Sequence, residues 1–164
     1  PAVPAGAVVV ADFQGEGRSR FGKPPWLAPP GTAVLMTLIY PDLPQPAACW
    51  SAAGLAVADA VARLGVSPTL KWPNDVLLAG RKLAGCLVEH SPPTGTGRGV
   101  TLVGVGVNVA CDFTGTDLAD RATCLHDHLP GPVDRAKLVA AIAERFAHWL
   151  DAADRFAEWA RRLE

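Results

Sequence analysis

Residues 100–109 constrain this chain more than any other stretch. Val103, Val105 and Val107 alternate with Gly104, Gly106 and Asn108. At the two-residue period of a strand the valines share one face, and the glycines and the amide share the other. Glycine weakens a strand and adds nothing to packing, so a face of bare backbone implies that something comes close to it: a helix, another sheet or a ligand. The valine face in turn demands an apolar cover. The chain must therefore build a sheet that is packed on one side and approached closely on the other.

The remaining segments supply the rest of such a sheet. Residues 7–11 form a β-branched run, 33–40 a second strand, and 69–71, 76–78 and 82–89 three more, the last two joined as a hairpin through Ala79, Gly80 and Arg81. Between them, residues 47–64 are alanine-rich, with Trp50, Leu55, Val57, Val61 and Leu64 near helical spacing and Gly65 where a C-terminal cap belongs. Residues 122–129 are expected to form a short helix. Residues 134–150 carry Leu138, Ile142, Phe146 and Trp149 at helical spacing, and 152–163 continue with Phe156, Trp159 and Leu163. The expected class is α+β, a mixed, largely antiparallel sheet flanked by helices. Residues 12–31 make a long polar, glycine-rich loop, a length that in a compact domain is usually functional.

With 164 residues there is material for one domain, and 49% hydrophobic against 19% charged residues marks a folded chain. A net charge of −1 gives no global field toward nucleic acid or an anionic membrane, so any anion must be met by a local cluster. No apolar run approaches the ~18 residues of a membrane span, and no signal peptide is visible. Cys49, Cys86, Cys111 and Cys124 have neither metal-site nor disulfide-scaffold spacing, which suits free thiols in the cytoplasm. His126 and His128, two apart, suit a metal site poorly. Lysine occurs only at 23, 71, 82 and 137 and asparagine only at 74 and 108, so positions that keep them in an Arg- and Ala-rich chain stand out.

Three further constellations carry candidate chemistry. Gly17, Arg18, Ser19, Arg20, Gly22 and Lys23 combine flexible backbone with three cations, suited to phosphate or carboxylate, or else forming a solvated basic loop. Lys71, Trp72, Pro73, Asn74 and Asp75 bring a cation, an indole, an amide and a carboxylate together; Pro73 keeps Trp72 extended and the Asn-Asp pair turns the chain. Lys82 begins a strand and can lie on either face, but Gly85 opens room beside it.

Taken in order, Gln14, Gly17-Arg18-x-Arg20-x-Gly22-Lys23, Trp26-x-x-Pro29-x-Gly31, Lys71-Trp72-Pro73-Asn74-Asp75, Gly80-Arg81-Lys82-Leu83-Ala84-Gly85 and Gly104-x-Gly106-x-Asn108 resemble the catalytic domain of biotin protein ligases, over residues 7–150. The resemblance implies an ATP- and Mg²⁺-dependent enzyme that activates biotin as biotinyl-5′-adenylate and transfers it to a lysine of a biotin carboxyl carrier domain. It places Lys82 at the family's catalytic lysine, Arg20 at the arginine that retains the intermediate, and Asp75 in the attack geometry, near Mg²⁺ or the incoming lysine. It assigns Gln14 to the biotin pocket, residues 17–23 to the cover over biotin and phosphate, Trp26 and Asn108 to the adenine, and Gly85, Gly104 and Gly106 to the pocket wall. Lys71 and Asn74 join the binding set.

The pattern departs from the family at Ser19, where glycine is usual, at Lys23, where arginine is usual, and by one extra residue before Trp26. The family's Ser/Thr-Thr-Asn biotin segment has no counterpart, so the expectation is one catalytic domain, N-terminally incomplete, with neither a helix-turn-helix domain nor a C-terminal β-barrel. A catalytically impaired or non-catalytic relative or fragment that binds a nucleotide or adenylate, or a ligase for another acyl group such as lipoate, is the alternative. Dimerisation through sheet edges is left open.

Overall fold

A computed structural model describes residues 3–19, 26, 28–95 and 99–164. Six strands, β1 (Ala7–Ala11), β2 (Ala33–Pro41), β3 (Pro68–Lys71), β4 (Asp75–Leu78), β5 (Arg81–Ser91) and β6 (Val100–Asn108), form one sheet in the order β1-β2-β6-β5-β4-β3. Every ladder between these strands is antiparallel. Parallel pairing enters through two isolated bridges, Leu70 with Leu163 and Lys82 with Ala122. The six strands lie within a residue or two of their expected places.

Alternation sorts the sheet's faces as expected. Val103, Val105 and Val107 of β6, Val34, Met36 and Leu38 of β2, and Ala84, Cys86 and Val88 of β5 belong to the main core. Their cover is α1 (Ala48–Ala62), buried nearly all round because α2 (Arg135–Asp151) and α3 (Arg155–Arg161) pack over it. Gly54 makes that layering close: Leu70 and Trp159 stand within 3.5 Å of where its Cβ would be. Gly65, at φ +92°, follows α1 in the left-handed conformation expected of a terminating glycine. α2 buries Leu138, Ile142, Phe146 and Trp149, the stripe its sequence displays, and Asp134 caps it by accepting from the Lys137 N–H at 3.1 Å.

Two helical expectations need correction. Residues 122–129 are not an α-helix: only Leu125–Asp127 form a single 3₁₀ turn, because residues 121–123 instead run beside the start of β5 and bond its backbone. The last segment breaks as well. α3 spans Arg155–Arg161, and the chain then pairs with the free edge of β3, Arg162 O accepting from Leu70 N–H and Glu164 N–H donating to Leu70 O, both at 2.9 Å.

Across the helix layer, Asp59 of α1 accepts hydrogen bonds from Arg145 and Trp149 of α2 and from Arg162, at 2.6–2.8 Å. Burial pushes its pKa up, but the bonds from Arg162, Trp149 and Arg145 outweigh that and hold the carboxyl below its ordinary range. All four cysteines are free and buried, and burial pushes the thiols of Cys49 and Cys86 up to about 11 and about 12. Among the described residues no helix is long and apolar enough to cross a membrane.

Candidate active site

The sheet face opposite the helices holds the candidate chemistry, organised by a single register row. Ala11 pairs with Leu35, Leu35 with Gly106, Gly106 with Gly85, Gly85 with Asp75, and Asp75 with Lys71. Cross-strand partners project to the same face. In the middle of this row two adjacent glycines leave a floor of backbone, and a carboxylate stands at its margin.

Lys82 completes the margin, and its direction depends on a bulge. Register slips between Val76 and Leu77, so that Val76 pairs with Ala84 but Leu77 pairs with Lys82, and Leu83 becomes the extra residue. Leu83 and Ala84, although consecutive, are both buried in the main core. With uninterrupted alternation Lys82 would share the face of Ala84, Cys86 and Val88 and point at α1; the bulge turns it to the glycine face. There its Nζ lies 2.7 Å from Asp75 Oδ1, and 3.4 Å from where a Cβ on Gly85 would be. Both side chains remain partly open to solvent.

The backbone of Lys82 is fixed from the other side. Its N–H donates to Arg121 O at 2.8 Å and its carbonyl accepts from Thr123 N–H at 3.0 Å. The Asn108 amide, buried at the end of β6, donates to Thr123 O at 3.0 Å and to Lys82 O at 3.5 Å. Asn108 thus has its donors on the chain that holds Lys82. Asn74 behaves similarly: its Nδ2 donates to Cys86 O at 2.7 Å while Cys86 N–H donates to Asn74 O at 2.9 Å, which locks the Lys71–Asp75 turn to β5. Lys71 and Trp72 of that turn are exposed.

Trp26 lies directly on the glycine floor. A Cβ at Gly106 would meet its Cε2 at 2.7 Å and one at Gly85 would meet its Cζ3 at 3.3 Å. The Lys82 ammonium is 5.7 Å from the ring centroid, within cation–π range. The indole N–H is buried with no hydrogen-bond partner among the described residues. Gln14 Nε2 donates to Trp26 O at 3.2 Å, and Gly17 packs against that same carbonyl so closely that a Cβ would overlap it. Arg18 reaches Glu89 of β5 at 3.0 Å. Ser19 is described, whereas Arg20 and Lys23 lie outside the described residues. Gly104 sits further along the same face, two residues before Gly106.

The geometry therefore gathers Gln14, Gly17, Trp26, Asp75, Lys82, Gly85 and Gly106 on one face of the sheet. The segment at 121–123, which anchors Lys82, was not legible: it carries no glycine and no charge cluster, and the spacing that begins at Ala122 points to a helix instead.

Comparison with known proteins bears on what such a site serves. The biotin/lipoate A/B protein ligase family matches residues 1–108. The chain is 34% identical over 159 residues to the biotin--[acetyl-CoA-carboxylase] ligase of Mycobacterium tuberculosis, covering 90% of this chain and 56% of that protein. It is 36% identical over 146 residues to the bifunctional ligase/repressor BirA of Bacillus subtilis, covering 85% and 44%. It spans about half the length of these curated relatives. A biotin protein ligase from Aquifex aeolicus, solved in complex with biotin and ATP, superposes with a TM-score of 0.82 at 25% identity, covering 99% of this chain and 70% of that one. With the family match extending through β6 to Asn108, the residue that pins Lys82, the chain belongs to the biotin/lipoate A/B protein ligase family.

Proposed function

We propose that this chain carries the catalytic unit of an ATP-dependent biotin protein ligase, which makes biotinyl-5′-AMP and transfers biotin to a lysine of a biotin carboxyl carrier domain. The observation that carries the reading is the Lys82–Asp75 pair, 2.7 Å apart, beside a floor stripped to backbone by Gly85 and Gly106. The Aquifex relative, solved with biotin and ATP, and the names of the curated relatives support it.

In the first step a carboxylate oxygen of biotin bonds to the α-phosphorus of ATP, the bond to the β-phosphate oxygen breaks, and pyrophosphate leaves. The obstacle is repulsion between two anions, which a positioned cation lowers while stabilising the charge that develops. Lys82 Nζ is such a cation, oriented by its backbone clamp and by Asp75. Arg18 and Ser19, with Arg20 and Lys23 by family resemblance, make the cover. Gln14, Gly17, Trp26, Lys71, Asn74, Gly85, Gly104, Gly106 and Asn108 form or support the pocket.

In the second step the carrier lysine's amine bonds to the acyl carbon, the carbon–oxygen bond to AMP breaks, and the amine gives up a proton. Asp75, paired to a primary ammonium in this structure, has the chemistry to hold a second one as Lys82 turns to the substrate anions. Mg²⁺ enters with the nucleotide phosphates, and Asp75 is the carboxylate placed to assist it, since Mg²⁺ is usually held by one or two carboxylates together with substrate phosphates. A cytoplasmic setting accords with four buried, unpaired thiols.

Biotin-dependent exchange between ATP and pyrophosphate tests the first step, and transfer to a carrier domain read by streptavidin blot tests the second. Exchange with the wild type that disappears in Lys82→Ala is the expected result. No exchange, or equal exchange in that variant, would overturn the reading.

A further inference from the structure

The clamp on Lys82 leads to a group away from the glycine face. Thr123, fully buried, bonds Lys82 through its N–H and Asn108 through its carbonyl. Its hydroxyl donates to Asp127 Oδ2 at 2.9 Å and lies 2.8 Å from His128 Nε2. A hydroxyl carries one hydrogen. Since that hydrogen goes to the carboxylate, His128 Nε2 must be the donor to Thr123 Oγ1, which fixes the ring with a proton on Nε2. Asp127 Oδ2 also accepts the Cys124 N–H at 3.2 Å. The order His128 to Thr123 to Asp127 is thus directional, and every polar atom of Thr123 has a partner.

Residues 121–123 belong to no ladder of the sheet; they meet it through the bridge to Lys82 and the bond from the Asn108 amide. What holds them there is the turn at Leu118, whose carbonyl accepts from Arg121 and Ala122, and on the other side this side-chain chain. A valine at 123 would fill the same volume, so the hydroxyl is not required for packing.

Resting on the functional reading above, we propose that Thr123, oriented by Asp127 and His128, is a positioning residue for the reaction: it holds the strand entry from which Lys82 projects, and so sets where the ammonium meets the substrate anions. It touches no substrate itself. Displacing a reacting group by about 1 Å can cost on the order of 100-fold in rate, so loss of the hydroxyl should act on turnover more than on binding.

The test compares Thr123→Val and Thr123→Ser in the full chain by two readouts. Amide hydrogen exchange is the first: in Thr123→Val the Lys82 and Thr123 amides should exchange on the order of 10-fold faster while Val103 and Val105 keep their protection, and Thr123→Ser should restore them. The second is biotin-dependent ATP–pyrophosphate exchange, where Thr123→Val should lower kcat on the order of 10- to 100-fold with KM for biotin little changed. If Thr123→Val fails to fold, His128→Ala against His128→Gln is read the same way, because the glutamine amide returns an N–H donor. Unchanged Lys82 protection, or protection lost evenly across the sheet, would overturn the assignment. A wild type without exchange activity would remove the functional reading and leave the amide readout to decide whether the clamp exists.

Discussion

The indole of Trp26 lies so close to the backbone of Gly106 that a Cβ at that glycine would sit 2.7 Å from Cε2. The contact leaves no room for a side chain at 106, unlike the glycine two residues before it. At Gly104 the atom nearest to an added Cβ is the Leu87 carbonyl oxygen at 3.5 Å, an ordinary contact. Gly106→Ala should destabilise by about 1–3 kcal/mol as the indole is forced off the floor. Gly104→Ala should lie within about 1 kcal/mol of wild type, on the stabilising side through the lost freedom of the unfolded chain. Urea unfolding midpoints of the two variants check this, and equal midpoints would contradict the contact.

Lys82 and Asp75 should separate activity from stability. Their pair is partly exposed, so breaking it with Lys82→Ala or Asp75→Asn should change unfolding free energy by no more than about 1 kcal/mol. The chemical effect is expected to be far larger: on the order of 100-fold or more in ATP–pyrophosphate exchange for Lys82→Ala, as for removal of a preorganised transition-state partner. Asp75→Asn should retain more of the exchange reaction than of transfer to a carrier lysine. A proportionate loss of both half-reactions in Asp75→Asn would deny it a role in the second.

How far the sequence discloses these relations depends on their range along the chain. Alternation in β6 and the helical stripe of α2 are local patterns, and both faces came out as the residues imply. The blocks around Lys71–Asp75, Lys82 and Asn108 stand out because lysine and asparagine are rare in this composition. Their directions were not legible. Lys82 lies on the glycine face only because Leu83 bulges, which pairing with β4 decides, and the amides of Asn74 and Asn108 turn to backbone carbonyls 12 and 15 residues away. Residues 122–129 misled because Ala122, Leu125 and Leu129 mimic helical spacing, whereas hydrogen bonds to Lys82 hold the start of that segment extended. The Asp59 cluster joins residues 86 to 103 positions apart, beyond the reach of any periodicity.

The hairpin that delivers Lys82 contains a local conflict that can be relieved. Leu78 pairs with Arg81, leaving Ala79 and Gly80 as a two-residue loop with φ of +51° and +72°. Left-handed backbone at both positions is the type I′ geometry, which favours Asn-Gly and penalises alanine. Ala79→Asn should therefore raise stability by about 0.5–1 kcal/mol, and Gly80→Ala should lower it by a similar amount. A denaturation series checks both signs, and a fall in stability for Ala79→Asn would count against the turn geometry.

Asp59 sets a pH dependence that activity measurements would not reveal. Its carboxylate, held by Arg145, Trp149 and Arg162, has a folded-state pKa below the unfolded value, so on acidification the unfolded chain takes the proton first. The contribution is complete above the unfolded carboxyl value of about 4 and is lost as pH falls through the depressed folded value. Asp59→Asn leaves the Arg145 guanidinium facing a neutral amide while Arg162 keeps Glu158, so at pH 7 it should cost about 1–3 kcal/mol. Because the wild type loses the same interaction in acid, the gap between the two proteins should narrow progressively below pH about 4. Unfolding free energies of both, measured from pH 7 to about 2.5, decide the matter: a gap that stays constant would show that the cluster is held by packing around Trp149 rather than by the charge on Asp59.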